Sequence, residues 1–108
     1  MKNIENIKLG INSTIKEALQ VINQGAIQIA LVVDDKDRLI GTLTDGDIRR
    51  GLLKNYALDD TINDLYFKNP ITSLNTESKD KIIQKAIKNQ IYQIPIVDEN
   101  NILVDIVN

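Results

Sequence analysis

The run T-D-G-D-I-R-R (44–50) holds the residue types best suited to grip a small ligand. An aspartate carboxylate such as Asp47 can accept hydrogen bonds from two vicinal hydroxyls of a sugar. Thr44 stands just before a helical pattern, where free backbone N–H groups and the helix dipole attract an anion. Gly46 carries no Cβ, so an anion can come close to its backbone. Arg49 or Arg50 can add compensating charge. The same spacing, Thr44-x-x-Asp47, is also a plain N-terminal capping pair worth about 1 kcal/mol to a helix. Arg49-Arg50 likewise reads as a solvated helix face or an ion-pair donor. Spacing alone leaves both readings open.

Other chemistries are poorly provided for. The 108 residues include no cysteine and no histidine. Without cysteine there is no disulfide framework and no thiolate nucleophile, which fits a reducing compartment. Without histidine the commonest general base and the commonest transition-metal ligand are both missing. Zinc or iron would have to be held by carboxylates alone, against their usual ligand sets. Asp34, Asp35 and Asp37 crowd carboxylates around Lys36, which hints at a cation. They lack the spacing and glycine of an EF-hand loop, and a charged β-turn accounts for them. The sequence offers no nucleophile–base pair, no phosphate loop and no metal cluster. A catalytic role of its own is therefore the least supported reading.

Charge and hydropathy narrow the partners. The formal net charge is −2, from 13 basic and 15 acidic side chains. That balance gives no basic excess for a phosphate backbone, so nucleic acid is not expected as the main partner. The aromatics Tyr56, Tyr66, Phe67 and Tyr92 form no platform interleaved with Arg or Lys. The opening M-K-N-I-E-N-I-K-L-G has no apolar signal region. No apolar run approaches the ~20 residues needed to span a bilayer. A soluble cytoplasmic protein without a membrane partner is the expectation.

The elements that must position Thr44 and Asp47 are written twice. Residues 12–24 carry Ile15, Ala18, Leu19 and Ile22 at helical spacing, with Thr14 and Glu17 as a capping box and Gly25 as the stop. A-I-Q-I-A-L-V-V-D-D then reads as a buried strand, D-D-K-D-R as a turn and L-I-G-T-L-T as a second strand. The run D-G-D-I-R-R-G-L-L-K-N reads as a helix with Ile48, Leu52 and Leu53 on one face. Sixty-four positions on, Ser78 falls on Thr14, Ile82 on Ala18, Val97 on Val33, Asp98 on Asp34 and Leu103 on Leu39. S-K-D-K-I-I-Q-K-A-I-K-N-Q is the matching helix, I-Y-Q-I-P-I-V-D-E-N the strand and turn, and I-L-V-D-I-V the following strand. A β-α-β-β-α unit is thus repeated, and two such units can bury their sheets in one pseudo-symmetric body. The polar linker N-Y-A-L-D-D-T-I-N-D-L-Y-F-K-N holds an amphipathic stretch (Ile62, Leu65, Tyr66) that is expected to pack. The second copy stops short: Asn108 falls on Thr44, before any T-x-x-D segment or final helix. A strand left without its covering helix reads as a cut chain.

G-T-L-T-D-G-D-I-R-R-G-L-L (41–53) resembles the G-h-x-T-x-x-D-h segment of CBS motifs, where h is apolar. F-K-N-P-I-T-S-L and Q-I-P-I-V-D resemble the opening strand and the h-P-h-V-D strand of a second such motif. The resemblance covers nearly the whole chain. It implies an α/β tandem CBS (Bateman) pair of two β-α-β-β-α units about a pseudo-two-fold axis, the second unit lacking its final helix. The division expected is 1–54 for the first motif, 55–66 for the linker and 67–108 for the second. Such pairs typically bind adenosine-containing nucleotides between the motifs, so AMP, ADP, ATP or S-adenosylmethionine is the implied regulatory ligand. The implied cleft takes Thr44, Gly46 and Asp47 from the first motif. From the second it takes Pro70, Ile71, Thr72, Gln93, Ile94 and Pro95, with Ile71 and Ile94 able to sandwich a flat base. Pro95 reads equally as a strand start, and Tyr92 and Gln93 as packing or edge residues. The mirror-related cleft lacks its T-x-x-D, so at most one competent site is expected.

The T-D-G-D-I-R-R version resembles CBS pairs attached to sugar-metabolism enzymes. In sugar-nucleotide pyrophosphorylase-like nucleotidyltransferases the pair is N-terminal. In arabinose-5-phosphate isomerases it is C-terminal. With the pattern starting near Met1, the first arrangement is favoured and a linked catalytic domain is expected after residue 108. CBS pairs also associate through helices, so a homodimer is expected. A purely structural dimerisation module without ligand is the alternative, as is the CBS region of a sugar-phosphate isomerase.

Overall fold

The computed structural model describes residues 4–25 and 27–107. The opening residues 1–3, Ala26 and Asn108, the counterpart of Thr44, lie outside the described residues. Among the described residues the order is a 3-10 turn (Ile4–Ile7), β1 (Lys8–Gly10), α1 (Ile15–Gln24), β2 (Ile29–Val33), β3 (Leu39–Thr44) and α2 (Asp45–Leu53). The second half then gives β4 (Ser73–Leu74), α3 (Lys79–Asn89), β5 (Ile94–Val97) and β6 (Leu103–Val107). This is the repeated β-α-β-β-α order, with no counterpart of α2 among the described residues of the second half.

Each half is a three-stranded sheet whose first strand is parallel and whose third is antiparallel to the middle one. The repeat extends to irregularities. The register shifts between Val32 and Val33, and again between their counterparts Ile96 and Val97. Asp34 accepts the backbone N–H groups of Lys36 and Arg38, and Asp98 those of Asn100 and Ile102. Both turns close through a left-handed residue, Asp37 (φ 64°) and Asn101 (φ 65°). Asp and Asn tolerate that conformation better than most side chains. The carboxylates of 34–37 therefore form a β-turn, as its composition implies.

The two turns join the halves. Leu39 N–H donates to Asn101 O and Leu103 N–H to Asp37 O, both at 3.0 Å. These bonds exchange under the 64-residue offset and flank an antiparallel bridge between Arg38 and Ile102. The pseudo-two-fold axis passes through that bridge. Around it Leu31, Val33, Leu39, Val97, Leu103 and Ile106 form one apolar cluster. Every residue of β2 is buried, as expected of a strand covered on both faces.

The first half has its own core of Ile15, Ala18, Ile22, Ala30, Leu43, Ile48 and Ile62. The capping box read in the sequence is formed: Glu17 N–H donates to Thr14 Oγ1 at 3.1 Å, and Thr14 N–H to Glu17 Oε1 at 3.0 Å. The linker is part of this core. Ile62 is fully buried, its N–H donates to Ser13 O, and Ile15 and Lys16 donate back to Asp60 and Leu58. One expectation changes. In α2 the buried residues are Ile48 and Gly51, while Leu53 is 79% exposed. The inward face runs at i, i+3, and Leu65 lies where a Gly51 side chain would be, which turns Leu52 and Leu53 outward. No helix among the described residues is long and apolar enough to cross a membrane.

Past the linker, Phe67 adds to the edge of β3. Thr42 N–H donates to Phe67 O at 3.0 Å and Phe67 N–H to Thr42 O at 2.8 Å. Gly41 permits this approach: a Cβ there would lie 2.3 Å from Tyr66 Cδ2 and 2.4 Å from Phe67 O. We expect Gly41→Ala to cost about 1–3 kcal/mol through overpacking against backbone, read as a lowered denaturation midpoint. An unchanged midpoint would mean that the 66–67 segment is not held as described.

The turn and cap carboxylates set the acid limb. Hydrogen bonds from the Thr14 backbone and hydroxyl hold Glu17 below its usual value, and the Leu74 N–H, joined by Lys85, does the same for Glu77. Burial on its own would raise Asp34; the hydrogen bonds from Arg38 and Lys36 outweigh it. Groups lowered on folding stabilise the protein above their unfolded values, 4.5 for Glu and 3.8 for Asp. We expect melting temperature to be insensitive to these groups in neutral solution and to fall as pH drops below 4.5. Asp34→Asn should shallow that fall.

Candidate nucleotide cleft

The alternation along β3 aims the threonines. Gly41 and Leu43 face the core of the first half, which leaves Thr42 and Thr44 together on the other face. Thr44 ends the strand and caps α2. Its Oγ1 accepts Asp47 N–H at 3.3 Å, and Asp47 Oδ2 accepts Thr44 N–H at 2.9 Å and Thr44 Oγ1–H at 3.1 Å. The other carboxylate oxygen, Oδ1, takes Arg50 Nη2 at 2.6 Å. Arg49 pairs with Asp45. The capping reading is thus realised in full. It does not exhaust the carboxylate: Oδ1 keeps acceptor capacity, and the Arg50 side chain, 67% exposed, can turn away at little cost. At Gly46 a Cβ would meet the flexible Arg50 guanidinium at 3.4 Å and Thr44 Oγ1 at an ordinary 3.8 Å, so the backbone there is open.

Next to this helix start lies a cavity of about 290 Å³ between the halves. The first half supplies Ile29, Thr42 and Thr44. The segment before β4 supplies Phe67, Pro70 and Ile71. The turn from α3 into β5 supplies Gln90, Ile91, Tyr92 and Gln93, and β5 supplies Pro95. Gln93 Nε2 reaches back across the cleft to Ile27 O, a long contact of 3.4 Å. The volume sits at the small end for ligand sites, as suits a compact ligand.

Of the residues read from the sequence, Thr44, Pro70, Ile71, Gln93 and Pro95 meet in this cavity. Asp47 and Gly46 stand behind Thr44 at the helix start rather than on its wall. Ile94 does not line it: it is 1% exposed, in the core cluster of the second half with Ile82 and Ile96. Strand alternation explains this, since Gln93 and Pro95 share the opposite face. Thr72 faces a separate depression beside α3 lined by Lys81, Gln84, Lys85 and Lys88, and its carbonyl accepts Lys85 Nζ at 2.9 Å. Ile71 borders both. Sequence reading missed Ile29, Thr42, Phe67, Gln90, Ile91 and the site role of Tyr92. Thr42 was within reach, two residues before Thr44 on the same strand face. Phe67 was not, because its pairing with Thr42 crosses the linker.

The mirror-related positions look different. Counterparts of Thr42, Ile71, Ile91 and Pro95 are Ile106, Ile7, Ile27 and Leu31, and all belong to or pack on the apolar cluster at the axis.

Comparison with known proteins places this geometry. Residues 2–54 match the CBS domain family. A solved CBS domain pair in complex with 5′-methylthioadenosine and S-adenosyl-L-methionine is 30% identical, with a TM-score of 0.80 over 94% of this chain and 83% of that one. The chain belongs to the CBS domain family, as a tandem pair of the two motifs. A CBS domain protein from Pyrobaculum aerophilum complexed with AMP shares the fold at 20% identity, with a TM-score of 0.81 over 100% of this chain and 87% of that chain. Among curated proteins, a probable arabinose 5-phosphate isomerase of Haemophilus influenzae is 37% identical over 95 residues, covering 84% of this chain and 27% of the relative. L-aspartate semialdehyde sulfurtransferase of Methanocaldococcus jannaschii is 31% identical over 96 residues, covering 89% and 18%. The chain thus spans under a third of either relative.

The cap that Asp47 makes has a measurable result. We expect Asp47→Ala to lower the stability of the ligand-free protein by about 1 kcal/mol, the worth of a lost cap. Chemical denaturation of the two proteins checks this. Equal midpoints would show that the capping box carries no stability here.

Proposed function

We propose that this CBS pair is a regulatory module that binds an adenosine-containing nucleotide in the cleft between its halves and controls a linked catalytic domain. The observation that carries the reading is the cavity itself. It joins Thr44, at the capped start of α2, to Pro70, Ile71, Gln93 and Pro95 of the second half. The ribose hydroxyls go to Asp47, the phosphate to the N-terminal end of α2 beside Gly46 and Arg50, and the base to the apolar end near Ile71. Two relatives of the same fold, solved with AMP and with 5′-methylthioadenosine and S-adenosyl-L-methionine, support an adenosine ligand. AMP, ADP, ATP and S-adenosylmethionine are the candidates. Control of a partner domain requires that the ligand bind one state of the module better than the other.

The linked domain has two readings. The T-D-G-D-I-R-R pattern supports a sugar-nucleotide nucleotidyltransferase. The 37% identity to a probable arabinose 5-phosphate isomerase favours a sugar-phosphate isomerase instead. In either case we propose residues 1–54 and 67–108 as the two motifs, with 55–66 between them, and a homodimer formed through the helices.

A thermal-melt series with AMP, ADP, ATP and S-adenosylmethionine, run beside Asp47→Ala, tests the reading. A ligand at 100 times its Kd should stabilise the wild type by about 2.7 kcal/mol, and the shift should be lost or much reduced in the variant. No shift with any of the four at millimolar concentration would favour a dimerisation module whose T-x-x-D segment only caps a helix.

A further inference from the structure

The two halves serve as controls for each other, and α3 departs from α1 in one consistent way. At the 64-residue offset Glu17, Val21 and Gln24 of α1 become Lys81, Lys85 and Lys88. These fall one turn apart and form a single stripe on the helix. Because α1 folds without them, the repeat does not require these lysines. Lys81 is unfavourable where it stands. Glu17 completes the capping box of α1. At the same position of α3, Lys81 leaves Ser78 to cap alone, its Oγ accepting Lys81 N–H at 3.2 Å. A cation in the first turn also opposes the helix dipole, while Lys88 in the last turn agrees with it. The dipole therefore does not account for the stripe.

The stripe lines a depression of about 510 Å³ that shares with the cleft only the wall residue Ile71. Lys85 is fixed there: its Nζ donates to Thr72 O and Ser73 Oγ, both at 2.9 Å, and pairs with Glu77 at 3.3 Å. Ser73 is 1% exposed, so this lysine is tied to the interior. Lys81 and Lys88 lie one turn to either side and enter no ion pair among the described residues. Thr72, Gln84 and Asn89 also line the depression. Apart from Ile71, every lining side chain can donate a hydrogen bond and none is a carboxylate. That composition selects an anion. The helix carries Lys79, Lys81, Lys85 and Lys88 against Asp80 alone, on a chain of net charge −2. The rest of the chain is acidic, which repels a long polyanion and favours a small one.

We infer that this depression binds a small phosphate-bearing anion, held by Lys81 and Lys88 on either side of Lys85, at a site separate from the cleft between the halves. Lysine meets phosphate as a point charge, and Thr72 and Gln84 offer hydrogen bonds to its remaining oxygens. The assignment does not depend on the nucleotide reading above.

An NMR titration of the isotope-labelled chain with inorganic pyrophosphate tests it, on wild type, Lys81→Gln, Lys88→Gln, the double variant and Lys79→Gln. Lys79 lies on the same helix but outside the depression. All three lysines are exposed, so unchanged melting temperatures should show that the variants fold. In the wild type the backbone amides of Thr72 and of residues 81–89 should shift and saturate. Each single variant in the depression should weaken binding roughly 2- to 5-fold, as loss of one exposed charge pair does. The double variant should lose roughly 4- to 25-fold if the two add, while Lys79→Gln binds like wild type. An equal loss in Lys79→Gln would reduce the effect to helix charge and overturn the site, as would shifts that fail to saturate. Shifts confined to residues 44–47 would overturn it too and leave the nucleotide reading intact. Tighter binding of hexaglutamate than of pyrophosphate would overturn the small-anion assignment in favour of an acidic protein segment.

Discussion

The molecule depends on two hydrogen bonds that exchange the halves. Leu39 reaches Asn101 and Leu103 reaches Asp37, and only a chain that has built the same turn twice can make both at once. Asp34 and Asp98 preorganise those turns by accepting two backbone N–H groups each. Left-handed Asp37 and Asn101 then aim their carbonyls at the partner turn. The apolar cluster of Leu31, Val33, Val97 and Leu103 packs beside the join and buries Leu39 and Leu103, while the turn residues Asp37 and Asn101 stay exposed. The relative position of the two sheets, and so the width of anything between them, is fixed here.

The cleft is the departure from that symmetry. On one side of the axis the repeat supplies Ile7, Ile27 and Ile106, which belong to or pack on the apolar cluster at the axis. On the other, the corresponding places are taken by Ile71, Ile91 and Thr42, and the chain leading to Ile71 is drawn aside. Its path is set by Phe67, anchored on the edge of β3 where Gly41 leaves room, and by Pro70, which has no N–H to offer a helical turn. The counterpart of that stretch in the first half is the 3-10 turn of Ile4–Ile7.

Much of this was legible in the sequence, because helix periodicity, β-branched runs and caps are local signals. Thr14 with Glu17, and Thr44 with Asp47, announced two capping boxes, and the 64-residue offset aligned whole elements. The offset also reached details that no pattern rule addresses, such as the paired register shifts at Val33 and Val97. What escaped the sequence depended on faces and long-range pairing. Ile94 next to Pro95 reads as a cleft residue until strand alternation sends it to the core. Leu52 and Leu53 read as core until Leu65 occupies the space over Gly51. Phe67 joins the cleft through a bridge to a residue 25 positions earlier, Thr42, which no local window contains.

The asymmetry of the repeat has a consequence for occupancy. On one side of the axis Thr42, Ile71, Ile91 and Pro95 line a cavity between the halves, while their counterparts Ile106, Ile7, Ile27 and Leu31 belong to or pack on the axis cluster. If the module proposed above takes its ligand in that one cavity, occupancy rises as a simple hyperbola, spread over nearly two decades of concentration between a tenth and nine-tenths filled. A sharper response then has to be created where one molecule touches another.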